Sequence, residues 1–177
     1  MKSVAFHPLL AEVNKREAVD MAYQPDGVSW EMMIWIGVDP GQSGGIAAVT
    51  GPGQAEAWPM PRTERDIWDL FRSLADRPGP KTALIERVHS MPRQGVASTF
   101  KFGTSYGMLR MALIASGIPF DEITPPKWQQ LMGCRSGGDK NVTKQRAQQL
   151  FPYLRITHAT ADAVLLAELC RRTYNVS

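Results

Sequence analysis

Cysteine is scarce. Cys134 and Cys170 are the only two in 177 residues. They stand far apart and outside any Cys-x-x-Cys spacing, which argues against a disulfide framework or a cysteine zinc site. A reducing cytoplasm is the expected compartment. The chain also lacks any apolar run approaching the roughly 20 residues that span a bilayer. Its N-terminus has no charged start, apolar stretch and small-residue cleavage site in succession, so a soluble, non-exported protein is expected. No internal repeat or low-complexity tract occurs. Hydrophobic residues at 44% and charged residues at 21% are ordinary globular values, and the length suits one compact domain with a full core. The net charge of +3 and a pI of about 9.0 are compatible with a polyanionic partner but common elsewhere, so the placement of the basic residues matters more than their sum.

The first 31 residues read as an extension to a domain spanning 32–177. Pro8 to Met21 has the pattern of one short amphipathic helix, and Gln24-Pro25-Asp26-Gly27 follows as a breaker. Met32 and Met33 directly precede the first strand, leaving a docking arm or a misassigned upstream start as the two readings. Three strands are predicted next, at Met33–Val38, Gly45–Thr50 and Ala55–Met60, joined by short turns as in an antiparallel meander. Glu64–Ala75 carries Ile67, Leu70, Phe71 and Leu74 at helical spacing, and Lys81–Glu86 reads as a buried strand. A helix between strands points to a parallel crossover. Ser98–Ser116 is the longest predicted helix, with Phe102, Tyr106, Leu109 and Leu113 on one face; Phe120–Thr124 is a fifth strand, and two or three helices finish the chain. Gly103 and Gly107 each cost that long helix about 1 kcal/mol relative to Ala, which reads either as close backbone packing against a neighbour or DNA or as a merely weakened helix. The order β-β-β-α-β-α-β-α is that of the α/β ribonuclease H-like fold, a mixed five-stranded sheet flanked by helices.

Two of the predicted strands end in acids. Ile34-Trp35-Ile36-Gly37-Val38 leads to Asp39, and Ala83-Leu84-Ile85 leads to Glu86. Burying either carboxylate alone costs several kcal/mol, and an Asp-Pro-Gly turn or an Arg87 pair is the plainer explanation of each. If the strands are neighbours, however, the two acids converge. Adjacent like charges then need a cation, and hard oxygen ligands favour Mg²⁺, with Mn²⁺ as a substitute, over zinc. A third acid, Asp162, sits in the Ala-rich run Thr157-His158-Ala159-Thr160-Ala161-Asp162-Ala163-Val164-Leu165-Leu166, where it either complements a helix N-terminus or joins the cluster. If the helix includes His158, His158 and Asp162 lie one turn apart on one face. Such a set can hold two Mg²⁺ about 4 Å apart, one activating water and one stabilising the leaving 3′ oxygen of a phosphodiester, with 5′-phosphate as product. His158 is a candidate ligand or base, and equally a structural histidine.

Taken in order, Ile36-Gly37-Val38-Asp39-Pro40-Gly41, Leu84-Ile85-Glu86 and His158-Ala159-Thr160-Ala161-Asp162-Ala163 resemble the RuvC family of Holliday-junction resolvases, especially its divergent phage and prophage members. The resemblance runs from about residue 33 to 172 and includes Thr124-Pro125-Pro126-Lys127-Trp128 and Lys144 to Phe151. It implies a homodimer in a bacterial cytoplasm that binds four-way DNA junctions and cuts two strands symmetrically with Mg²⁺. Asp39, Glu86 and Asp162 match three of the family's acids. The fourth ligand, usually Asp or His three residues before the last acid, falls on Ala159, with His158 one place earlier. Where many members carry a junction-wedging aromatic residue after the second acid, this chain has His89 and Met91. Lys127 and Lys144 match basic positions near the scissile phosphate, which makes Lys144 a candidate catalytic residue.

The same segments suit DNA on physical grounds. Arg87-Val88-His89-Ser90-Met91-Pro92-Arg93-Gln94-Gly95 combines basic ends with breakers, and Arg135, Lys140 and Arg146 gather near Lys127 and Lys144 in sequence. Phosphate contacts of this kind make binding strongly salt-dependent, although any one such residue reads equally as a solvated surface charge. Asp139, in the flexible Gly137-Gly138-Asp139, is a weaker candidate acid. Three rival readings stand: a nuclease of the same fold acting on RNA, hybrids, forks or other branched DNA; an actin-like phosphotransferase, for which Asp39-Pro40-Gly41 fits superficially but one domain is too little; and a non-catalytic junction-binding module, motivated by Ala159.

Overall fold

A computed structural model describes residues 33–88 and 95–174. The expected helical extension 1–31 lies outside the described residues, as do His89, Met91 and Arg93. Three strands come first, β1 (Ile34–Asp39), β2 (Gly45–Gly51) and β3 (Gln54–Pro59), then α1 (Glu64–Ala75), β4 (Lys81–Glu86), α2 (Val96–Ala115), β5 (Phe120–Ile123), α3 (Pro125–Leu131), α4 (Lys140–Leu150) and α5 (Ala161–Tyr174). The sheet order is β3-β2-β1-β4-β5. β1, β2 and β3 form the expected antiparallel meander, while β4 runs parallel to β1 and β5 parallel to β4. The carboxyl ends of β1, β4 and β5 therefore open on one edge.

Side chains alternate across a strand, so each strand feeds two cores. Ile34, Ile36, Val38, Ala83 and Ile85 face α1 and α2 with Phe71, Leu109 and Leu113. Trp35 and Leu84 face the other way, toward α3, α4 and α5 with Trp128, Phe151 and Leu165. Gly37 faces this second layer as well, and a Cβ there would overlap the Ala163 carbonyl and the Ala167 amide. Glycine in the central strand, opposite alanines on α5, lets the helix backbone rest directly on the sheet. Among the described residues, no helix is long and apolar enough to cross a membrane.

Two points left open by the sequence are narrowed here. Among the described residues, nothing packs against Gly103 or Gly107: a Cβ at either would meet open space. Together with the exposed Phe100, Met111 and Ile114, they form an outer face of α2 that none of the described residues covers. α5 begins at Ala161, so His158 is not on the helix. It belongs to a preceding turn in which the Thr160 hydroxyl accepts from the Thr157 amide at 3.0 Å and meets the Thr157 hydroxyl at 3.1 Å. This side-chain closure competes with helical hydrogen bonding, so the helix starts only beyond it.

Candidate active site

Alternation decides where the acids point. Trp35 and Gly37 face α5, so Asp39 does too; Leu84 faces α5, so Glu86 does too. The last parallel pair, Val38 with Ile85, puts these carboxylates side by side at the open edge of the sheet. α5 crosses β1 at Gly37, with Ala163 and Ala167 in contact, so Asp162, in its first turn, overhangs the same edge. The turn after β1 closes the cluster from the other side. Gly41 takes a positive φ of 108°, and a Cβ on Gly44 would come within 3.0 Å of the Asp39 carboxyl carbon, so only a glycine lets that turn fold back so closely.

The electrostatics of the three acids agree with their placement. Burial raises Asp39 well above the usual carboxylate range, the charges of Glu86 and Asp162 raise it further, and Lys140 acts against them. Glu86 is pushed up to about 7 by burial, with the Trp128 hydrogen bond opposing and the Asp162 charge adding. Burial raises Asp162, while the facing Thr143 hydroxyl and the charges of Lys140 and His158 pull the other way. Its Oδ1 is buried without a hydrogen-bond partner. Carboxylates of like charge that destabilise one another, one of them with an orphaned oxygen, form a hard-oxygen donor set suited to a divalent cation. Among the described residues, no group of three or more His, Cys, Asp or Glu side chains is placed to hold a metal ion together, so a cation at this edge would have to draw further ligands from water and substrate phosphate oxygens, as Mg²⁺ does.

The remaining candidates divide. Lys140, in the first turn of α4, acts on both Asp39 and Asp162, whereas Lys144, one turn on, is not among the charges that shift any of the three acids. His158 is exposed beside Asp162. Lys127 is half-buried on α3 and Arg135 is exposed, with Arg135 donating to Gln130 at 2.9 Å. Arg146 donates from Nε to the Met132 carbonyl at 3.1 Å and ties α4 to the end of α3. Arg87 continues β4 with its amide on the Ile123 carbonyl at 2.7 Å; its exposed side chain falls on the α2 side, away from the acids. Asp139 is the N-cap of α4, accepting from the Asn141 amide at 2.9 Å, which gives it a structural role.

Sequence reasoning missed two neighbours of the acids. Trp128 is fully buried and donates from Nε1 to Glu86 Oε2 at 2.6 Å. A buried indole N–H needs an acceptor, but nothing local in the chain names one 42 residues away. Thr143, buried on α4, faces Asp162 and carries no motif of its own.

No protein-family model matches the sequence, and neither does any curated protein sequence. Solved structures do match. The chain is similar to Thermus thermophilus RuvC, with a TM-score of 0.56 and 19% identity over 81% of this chain and 95% of that one. It is similar also to T. thermophilus RuvC in complex with Holliday junction substrate, with a TM-score of 0.57 and 19% identity over 81% of this chain and 94% of that one. The strand order, the two helical layers and these neighbours establish an α/β ribonuclease H-like fold.

Proposed function

We propose that this chain is a structure-selective DNA endonuclease that resolves four-way junctions by Mg²⁺-dependent phosphodiester hydrolysis, leaving 5′-phosphate ends, and that it is a divergent, phage- or prophage-like relative of the RuvC resolvases. One observation carries the reading: in a fold shared with RuvC, three carboxylates from separate elements meet at one sheet edge without enough basic charge to neutralise them. A divalent cation bound there supplies the positive charge that phosphodiester hydrolysis needs at the attacked phosphate. Asp39, Glu86 and Asp162 would hold it, with His158 as the fourth ligand beside Asp162. Lys140 balances part of the negative charge and stands where a backbone phosphate arrives; Lys127, Lys144 and Arg135 extend the basic track along α3 and α4. Arg87, His89, Met91 and Arg93 are assigned to the DNA-facing loop between β4 and α2.

Symmetric cutting needs two copies, and we assign the contact between them to α2. Phe100, Met111 and Ile114 are 75%, 57% and 58% exposed and lie with Gly107 at seven-, four- and three-residue steps, one stripe along the helix. Large exposed apolar side chains beside glycines that leave open space suit the close approach of a second helix. Met111→Lys together with Ile114→Asp should turn a dimer into a monomer in light scattering while leaving the fold intact.

The deciding experiment compares four-way junctions, forks, linear duplex and RNA–DNA hybrid as substrates, with Mg²⁺ and with Mn²⁺. Preferential, paired cutting of the junction is expected; equal cutting of linear duplex would remove the resolvase reading and leave a general nuclease of the same fold.

A further inference from the structure

We propose that Trp128 is a positioning residue: its indole N–H holds one oxygen of Glu86 in place so that the other stays turned toward the cation and the DNA. The inference rests on the nuclease reading but concerns a buried core residue whose indole N–H bonds Glu86. Glu86 ends a strand on a long, rotatable side chain, and nothing in β4 itself determines where its carboxylate points. Trp128 supplies that determination. Its ring is fully buried, packed in the core layer of Met132, Cys134 and α5, and its position along the chain is set by Pro125 at the start of α3. The indole can only donate, so the 2.6 Å bond to Oε2 occupies that oxygen in a single orientation. Trp35 makes the contrast. It too is buried on this face of the sheet, yet its Nε1 has no partner.

The test is Trp128→Phe, which keeps an aromatic ring and removes the N–H, with Trp35→Phe as the packing control. The primary readout is the Mg²⁺ concentration giving half of the metal-induced rise in Tm, since a ligand that binds the native state stabilises it by mass action. Loss of a group that orients a metal ligand typically weakens metal binding 10- to 100-fold. The half-rise concentration should therefore increase about tenfold or more in Trp128→Phe and stay within about twofold in Trp35→Phe. Equal half-rise concentrations in wild type and Trp128→Phe would overturn the proposal, as would a wild type whose Tm does not respond to Mg²⁺. The two readings fail separately: a Trp128→Phe effect on Mg²⁺ without any junction cutting by wild type would remove the nuclease reading alone, and junction cutting with an unchanged half-rise concentration would remove only the role of Trp128. If Trp128→Phe does not fold, ¹⁵N spectra of the wild-type indoles decide instead. One of the five tryptophan signals should move with Glu86→Gln and again on Mg²⁺ titration, and the proposal is overturned if none does.

Discussion

α5 carries two acids in contrasting settings. Glu168, buried in mid-helix, is raised by burial, but hydrogen bonds and charge from Arg171 and Arg172 outweigh this and hold it below the usual carboxylate range. The bonds are 2.8 and 2.9 Å from Arg171 and 2.8 Å from Arg172. Asp162, six residues earlier, lies beside two more carboxylates, keeps an orphaned oxygen, and is raised. The same helix thus neutralises one acid with its own arginines and leaves the other short of positive charge. Folding alone would favour the first arrangement, because an unneutralised buried carboxylate costs stability. Among the described residues, the second arrangement occurs where three acids meet, at the open edge of the sheet, and it costs the fold stability there.

The largest effect should come from the contact that brings α5 to the acids. Gly37→Ala drives a methyl group into the α5 backbone at Ala163 and Ala167, where no side chain can yield; a loss of about 3 kcal/mol or more is expected, seen as insoluble expression or a collapsed Tm, and a normal melt would show that the helix can lift away. Next is Glu168→Gln, which strips the charge from the neutralised acid. It should lower stability by roughly 2–3 kcal/mol, and Tm by roughly 5–10 °C, without changing cutting per folded molecule. A specific loss of cutting would mean that Glu168 is not purely structural.

Smaller still is the pH dependence of the metal-free protein. Glu86 titrates near pH 7 when folded against its ordinary 4.5, so between these values the native state binds more protons than the unfolded one, and stability falls as pH rises through that window. Thermal melts from pH 4.5 to 7.5 in EDTA should show Tm declining by a few degrees from this group. Mg²⁺ should remove the decline by favouring the ionised form. A metal-free Tm that rises over this window would contradict the unneutralised character of the cluster.

Much of this was legible from local pattern. Asp39 and Glu86 announce themselves as acids ending apolar strands, and the helix between β3 and β4 implies the parallel crossover that sets them side by side. Asp162 was legible as an acid in a buried helix, but its overhang depends on Gly37 meeting Ala163 and Ala167, a contact between segments more than 120 residues apart. Trp128 and Lys140 reach the acids in the same long-range way, which local spacing cannot express. The sequence leaves open whether α5 reaches back to His158, because alanine-rich spacing favours extending a helix, whereas the Thr157–Thr160 hydroxyl closure delays it. The glycines of α2 stood out in the sequence, but local pattern could not say what faces them; among the described residues both open onto free space.

The most direct measurement of the central claim, that the unneutralised acids hold a cation that drives cutting, follows binding and cleavage of one four-way junction by wild type and Asp39→Asn in Mg²⁺. The expected result is junction binding by both and a fall in the cutting rate of about 10³-fold or more in the variant, with EDTA silencing the wild type. Undiminished cutting by Asp39→Asn, or cutting by the wild type in EDTA, would contradict it.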